Sequence, residues 1–328
     1  MGRFLVKRVL YMIPTLIGIS VICFIIIQLP PGDFLTSVLS SMAESGNRPD
    51  QASIDRLTAQ YGLDQPIYVQ YWRWISGIVF HGDFGWSFDW GQPVGRLIWD
   101  RLGITLLVSS LSFVLIWVIA LPIGIYSAVN RYSFGDHFFT FLGFVGLAVP
   151  TFILALILMY LSFTYLGLNV GGLFSPEYEN AAWGLAKFWD LCQHLWIPIV
   201  VIAVSSTAAL IRVMRANLSD ELSKPYVVTA RAKGLSEFTL IMRYPVRIAL
   251  NPFISTIGWV LPSLISGVTI TAIVLNLPMA GPLLLRALVS QDMYLAGAFI
   301  LLLSALTLVG TLMSDILLAL LDPRIRYQ

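Results

Sequence analysis

Long apolar stretches, separated by short polar segments, constrain this chain more than any other feature of its sequence. A helix needs about 20 apolar residues to cross roughly 30 Å of hydrocarbon, and the stretches are close to that length. Charged residues make up 12% of the 328 residues, whereas soluble domains usually contain about 25%, and they cluster between the stretches. A large soluble core would not require that spacing. The sequence therefore predicts an all-α polytopic membrane protein.

Hydropathy predicts about six transmembrane helices in this chain. An even number of spans places both termini on the same side of the membrane. The predicted spans cover residues 9–29, 103–128, 138–166, 197–214, 249–275 and 295–321.

The charges of the short loops predict the orientation of these spans. Lys and Arg in short loops stay on the cytoplasmic side, whereas long segments cross the membrane largely regardless of charge. The short outer loops hold only Lys187 and Arg286. We therefore expect both termini to be cytoplasmic. Residues 1–101 then form the first helix and an extracytoplasmic segment, and residues 102–328 form a five-helix core.

Part of the extracytoplasmic segment has the pattern of short amphipathic helices, at residues 55–60 and 67–80. Groups that would carry catalysis or ion coupling are scarce in the spans. Only Asp315 lies deep, and Arg212 lies at an inner edge, whereas ion-coupled carriers place titrating groups within the bilayer. The motifs GxxxxGK[ST], HExxH and GxSxG are absent. We expect no catalytic residue, bound cofactor or metal, although an ion-coupled carrier or a membrane enzyme remains an alternative.

The cytoplasmic loop at residues 215–248 is unusually long and basic. Pro225 can occupy the first turn of a helix, and Gly234 can end one. These two residues predict a short helix of about two to three turns, parallel to the membrane.

Three residues of that short helix would share one face. Tyr226, Ala230 and Lys233 fall at positions i, i+4 and i+7, and together they would fit a groove on another protein. The residues also allow a different interpretation, a solvated basic loop that touches anionic lipid.

The centre of the loop resembles a known motif. The run Tyr226-Val-Val-Thr-Ala-Arg-Ala-Lys-Gly-Leu-Ser-Glu237 is similar to the coupling loop of permeases in the dipeptide, oligopeptide and nickel branch of ATP-binding cassette (ABC) importers. The resemblance covers nearly the whole chain. It also includes Tyr61-Gly-Leu-Asp-Gln-Pro-Ile-Tyr-Val-Gln-Tyr71, Gly82-Asp-Phe-Gly85, Leu121-Pro-Ile-Gly124 and Leu321-Asp-Pro-Arg-Ile-Arg-Tyr327.

This resemblance implies the type I fold of ABC importer permeases and a place in a bacterial or archaeal cytoplasmic membrane. It also implies that the loop helix sits in a cleft of a cytoplasmic ATPase. Val228-Thr229-Ala230 stands where the older general motif has Glu-Ala-Ala, so the acidic position is missing. The residues implied to couple the permease to the ATPase are Tyr226, Thr229, Ala230, Arg231, Ala232, Lys233, Gly234 and Leu235.

The partners implied by the resemblance are a homologous second permease, two cytoplasmic subunits that bind ATP and Mg, and an extracytoplasmic substrate-binding protein. Membrane lipid is also expected, and nucleic acid is not. The chain itself would form half of a translocation path without catalysing a reaction. Residues 274–286 lack the Trp-Pro-Gly turn usual in peptide permeases and resemble members associated with oligosaccharides. Oligosaccharide cargo is therefore favoured over oligopeptide, and dipeptide or nickel import is an alternative.

Polar residues in the fifth predicted span are candidates for lining that path. Their spacing of nearly four residues places several on one helix face. Ser and Thr in spans also commonly bond to a neighbouring helix, which is the competing interpretation. The candidates are Ser255, Trp259, Ser263, Ser266 and Thr269.

Overall fold

A computed structural model describes residues 2–28, 65–87, 89–257 and 268–321 of the chain. These residues form twelve α-helices and one antiparallel pair of two-residue strands, in which Trp86 pairs with Pro93. The helices are α1 (Gly2–Gln28), α2 (Ile67–Ser76), α3 (Val94–Val129), α4 (Phe134–Ala148), α5 (Thr151–Leu161), α6 (Leu185–Leu222), α7 (Pro225–Ala232), α8 (Glu237–Arg243), α9 (Pro245–Ser255), α10 (Thr269–Val274), α11 (Ala280–Val289) and α12 (Met293–Leu321). The strands are β1 (Trp86–Ser87) and β2 (Gln92–Pro93), and π-helical turns at Gly77–His81 and Ser162–Leu166 extend α2 and α5.

The helices confirm the prediction of an all-α polytopic membrane protein. Four of them are long and apolar enough to cross a membrane, and a bent pair makes a fifth if it counts as one span. The four are Val6–Ile26, Val94–Val129, Leu185–Leu222 and Tyr294–Leu320, and the pair is Phe134–Ala148 with Thr151–Leu166. The remaining predicted span, 249–275, includes residues 258–267, which lie outside the described residues. The amphipathic helix predicted at 67–80 is confirmed by α2, whereas the one at 55–60 also lies outside them.

The third predicted span, residues 138–166, is not one straight helix, which corrects the prediction. It bends by 100° between α4 and α5. The cause is local, because a proline ring disfavours the helical conformation of the residue before it. Val149 accordingly has φ −85° and ψ 119°, and Pro150 then caps the start of α5.

Two compact units make up the chain. The large unit comprises Thr105–Pro278 and Val309–Gln328, and the small unit comprises Gly2–Ile104 and Met279–Leu308. Within the large unit, α6 packs against α4, α5 and α9. Most of the side chains buried on α6 are apolar, among them Ile197, Val201, Leu210 and Met214.

Gly124 lets α3 approach α6 closely within the large unit. A Cβ atom at Gly124 would lie 2.7 Å from the Cβ of Met214 and 3.3 Å from the carbonyl oxygen of Ile211. Extra methyl groups in a packed interior force such neighbours apart. The sequence motif around Gly124 thus has a packing role in this fold.

We expect Gly124→Val to lower the free energy of unfolding by about 1–3 kcal/mol, because the added side chain overpacks this helix crossing. Unfolding of the purified protein in detergent measures the change. Gly103→Val is the matched control, since Gly103 lies in the same helix and a Cβ there meets nothing within 4 Å. Similar losses in the two variants would show that helix propensity, and not packing, explains the effect.

The small unit joins α1 to α2 through polar and aromatic contacts. The hydroxyl groups of Ser20 and Tyr71 are 2.7 Å apart, and the rings of Phe24 and Tyr71 meet edge to face at 5.5 Å between centroids. Trp74 packs on the same Phe24 ring at 5.8 Å. The first helix therefore has a specific partner in the segment that follows it.

Candidate functional site

The loop helix expected from the sequence is present as α7. Pro225 occupies its first turn, and Gly234 lies just beyond its end with φ +78°. The backbone N–H of Gly234 donates to the carbonyl of Arg231 at 3.0 Å. An L-residue is strained at positive φ, so glycine suits this turn. The helix of about two turns and both of its end signals are confirmed.

The inward side of α7 packs on α8 within the same loop. Val227, Ala230 and Leu240 are buried together, and Tyr226 is partly buried against them. This differs from the predicted contact face, in which Tyr226 and Ala230 were expected to point outward with Lys233. The short α8 folds back under α7, so the small and aromatic positions fill the loop's own core.

The loop exposes several large apolar side chains, and the motif did not indicate the two most exposed of them. Val228 is 58% exposed and Phe238 is 77% exposed. Thr229, Arg231, Ala232 and Lys233 are exposed as well. Phe238 could not be distinguished in the sequence, because a helix of seven residues is too short to reveal a periodic apolar face.

Glu221 at the end of α6 holds the start of α7. Its carboxylate accepts hydrogen bonds from the Tyr226 hydroxyl at 2.6 Å and from the Lys224 ammonium group. Burial, together with the hydrogen bond to Glu221, raises the pKa of Tyr226 above its ordinary value. The phenol therefore stays protonated and remains a donor. Glu221 could not be recognised from the sequence, because its partners are fixed only once the chain turns after Leu222.

An ion pair connects α7 to α8 across the glycine turn. The guanidinium of Arg231 donates to both carboxylate oxygens of Glu237, with its Nη2 at 3.0 Å from Oε2. That hydrogen bonding lowers the pKa of Glu237. Both side chains are exposed, so water screens the pair and it contributes little to stability. The pair connects the two helices across Gly234.

Two of the five candidates for lining a path, Ser255 and Thr269, lie among the described residues. Ser255 is exposed, and its hydroxyl donates to the carbonyl of Asn251 one turn earlier at 3.0 Å. Thr269 begins α10 and is partly buried. Trp259, Ser263 and Ser266 lie outside the described residues, so the lining role of the group stays a prediction.

Comparison with known proteins decides the family. Residues 120–327 match the family described as "Binding-protein-dependent transport system inner membrane component". Residues 1–112 match the corresponding N-terminal family of the same transport systems. The chain belongs to this family of permeases.

Similar proteins extend over the full length of this permease. The oligopeptide transport system permease protein AppB of Bacillus subtilis is 36% identical over 100% of both chains. The dipeptide transport system permease protein DppB of Escherichia coli is 29% identical, again over 100% of both chains. These matches confirm the resemblance to the peptide branch of ABC importer permeases. The protein is thus a permease subunit of an ABC importer and an integral protein of the inner membrane.

The large unit of the permease contains a polar cavity of about 640 Å³, lined mainly by the segment that connects α5 to α6. Asn169, Glu179, Gln193, His194 and Asn276 are among its lining residues. The buried Nδ1 of His194 lies 2.8 Å from the carbonyl oxygen of Asp190. The lining of the cavity can form hydrogen bonds with a polar ligand.

Lys187 orders the loop that forms one wall of this cavity. Its ammonium group donates to the carbonyls of Glu179 at 3.2 Å and Ala181 at 2.8 Å. The same group lies 4.7 Å from the ring centroid of Phe174 and 5.5 Å from that of Trp183. A buried cation is costly unless such partners replace its water. These contacts attach the loop to α6 through this lysine.

The small unit of the permease has a second polar cluster, which joins the strand segment to α11 and α12. The buried carboxylate of Asp292 accepts a hydrogen bond from the Ser87 hydroxyl, and burial raises the pKa of Asp292. Arg286 donates to Asp89 at 2.8 Å, and its guanidinium lies 4.4 Å from the ring centroid of Trp90. These contacts fix residues that are far apart in sequence.

Proposed function

We propose that this permease imports oligopeptides and that cytoplasmic ATPase subunits drive it through α7. The observation that carries the proposal is the construction of α7: a short helix with its own packed core and an open glycine turn at its end. A partner protein can bind such a helix without unfolding it. Two of the sequence relatives are named for oligopeptide and dipeptide transport, which supports peptide cargo.

The contacts of α7 provide a route for motion into the membrane core. Only Ser223 and Lys224 separate α6 from α7, and the Glu221–Tyr226 hydrogen bond limits hinging between them. A displacement of α7 would therefore move the inner end of α6. Because α6 packs on α4, α5 and α9, the displacement reaches most of the large unit.

The remaining parts of the proposed transporter lie outside this chain. A homologous permease completes the path, two cytoplasmic subunits bind and hydrolyse ATP with Mg, and a substrate-binding protein delivers cargo to the outer face. Both termini and α7 then lie in the cytoplasm. The exposed residues Thr229 and 231–234 form the contact with the ATPase, and the exposed Val228 and Phe238 extend it. Tyr226, Ala230 and Leu235 support that surface from inside the loop.

Oligosaccharide import is the second candidate. It is favoured by residues 274–286, which lack the Trp-Pro-Gly turn of peptide permeases. The same ATP-driven machinery would serve either cargo, so only the substrate differs. An ion-coupled carrier is disfavoured by the scarcity of charged residues within the predicted spans.

Reconstitution tests the proposal directly. We expect proteoliposomes that contain both permeases, both ATPases and the binding protein to accumulate a labelled oligopeptide when ATP is present on the ATPase side. A labelled oligosaccharide in the same vesicles is the matched comparison. Uptake of the sugar alone would replace the peptide assignment, and uptake that persists without the ATPases would overturn ATP coupling.

A further inference from the structure

A narrow cleft of about 200 Å³ lies between α4 and α6 of the large unit. One part of its lining is apolar and the other is cationic. The apolar part comes mainly from α4, through Phe139, Phe144 and Leu147, with Ala208 and Ile211 of α6 beside it. Both cations, Arg212 and Arg215, come from α6. A cleft with this division suits a ligand that has an anionic end and an apolar body.

The two arginines of the cleft differ in their partners. Arg215 is bound to the buried Asp136, with Nε at 2.8 Å from Oδ1 and Nη2 at 2.7 Å from Oδ2. This pair is neutral overall. Arg212 is exposed and has no ion-pair partner among the residues that the structure describes. Its guanidinium lies 5.9 Å from the ring centroid of Phe144, over the apolar wall of the cleft.

Exposed aromatic side chains elsewhere on α4, outside the cleft lining, favour lipid as its neighbour. Phe134 is 86% exposed and Phe141 is 63% exposed, and both lie on α4. Large aromatic side chains at this exposure are unfavourable in water but suitable for a membrane interface or hydrocarbon. An arginine at the edge of a span commonly keeps its head at the interface, where lipid phosphates lie.

We propose that this cleft binds an anionic phospholipid. Arg212 donates to the phosphodiester of the head group, and the remaining N–H groups of Arg215 assist. One acyl chain lies along Phe139, Phe144 and Leu147. An anionic lipid is preferred over a zwitterionic one because the latter has a cation that the guanidinium group of Arg212 repels. The site is separate from α7 and does not depend on which cargo the permease carries.

Native mass spectrometry of the purified full chain tests the lipid site. The probes are phosphatidylglycerol and phosphatidylcholine with identical acyl chains, added to delipidated protein in detergent. We expect the wild type to prefer phosphatidylglycerol and Arg212→Gln to weaken its binding about fivefold, since one Arg near a lipid surface contributes about 1 kcal/mol. Arg212 is exposed, so the variant should fold.

The matched control is Arg243→Gln, which removes another exposed cation from the end of α8. It should leave phosphatidylglycerol binding unchanged. Equal loss in both variants would reduce the effect to general charge and overturn the specific site, as would equal binding of the two lipids by the wild type.

The assembled transporter provides a second measurement. We expect phosphatidylglycerol to remain bound, with the same sensitivity to Arg212→Gln, when the second permease and the ATPases are present. Displacement of the lipid on assembly would show that a protein partner covers the cleft and would overturn the proposal. Because lipid binding is measured without transport, its failure is distinguishable from a failure of peptide import.

Discussion

Gly234→Asp is expected to abolish ATP-driven uptake while the permease still folds and enters the membrane. Gly234 lies at the end of α7, and a Cβ there meets nothing within 4 Å in this chain. Internal packing therefore does not oppose the new side chain. If an ATPase closes on this turn, the carboxylate is buried in the contact, at a cost of roughly 2 kcal/mol or more. That cost weakens ATPase association by about thirtyfold or more.

Two measurements on Gly234→Asp show whether a loss of uptake comes from a loss of ATPase binding. Uptake by reconstituted vesicles reports function, and co-purification of the ATPase with the permease reports association. Backbone strain also has to be controlled, because Gly234 has φ +78° and an L-residue there costs about 1–2 kcal/mol.

Gly167→Asp is the matched control for that strain. Gly167 has φ +65°, and a Cβ there also meets nothing within 4 Å. It follows the π-helical turn after α5, away from the cytoplasmic loop in sequence. We expect Gly167→Asp to retain ATPase association. A permease that keeps normal uptake with Gly234→Asp would remove α7 as the site of coupling, and equal losses in both variants would assign the effect to the backbone.

The cytoplasmic loop shows which features of this chain could be predicted from sequence. Pro225 and Gly234 act on their own backbone, so α7 and its end were predictable. The orientation of its side chains was not, because it depends on α8 folding back to bury Leu240 against Ala230. Two residues predicted to lie on the contact face, Tyr226 and Ala230, therefore pack inside the loop.

The other differences between the predictions and the structure also have physical causes. The bend at Pro150 follows a local rule, yet hydropathy averages over it and suggests one continuous span at 138–166. The role of Glu221 and the pairing of Ser87 with Asp292 depend on contacts that form only in the folded chain. Hydrophobic periodicity contains no information about such polar pairs, whereas it locates long apolar helices well.

Asp136→Leu is expected to destabilise the large unit by about 2–3 kcal/mol, because it leaves Arg215 without its carboxylate. Asp136 is only 1% exposed in its side chain and accepts two hydrogen bonds from Arg215 and one from the backbone N–H of Tyr132. The Arg215 side chain is 28% exposed, so water recovers part of the lost interaction and the cost stays below that of a fully buried pair.

A double-mutant cycle tests whether the unpaired cation causes this loss. Asp136→Leu combined with Arg215→Met removes both charges, and we expect the double variant to be more stable than Asp136→Leu alone. Unfolding in detergent measures each free energy, and Asp220→Asn is the control for removing an exposed acidic charge from α6. Additive losses in the cycle would mean that Asp136 acts mainly through Tyr132. A recovery would show that the Asp136–Arg215 pair holds α4 to α6. These two helices flank the lipid cleft, which lies towards the end of α6 nearest α7.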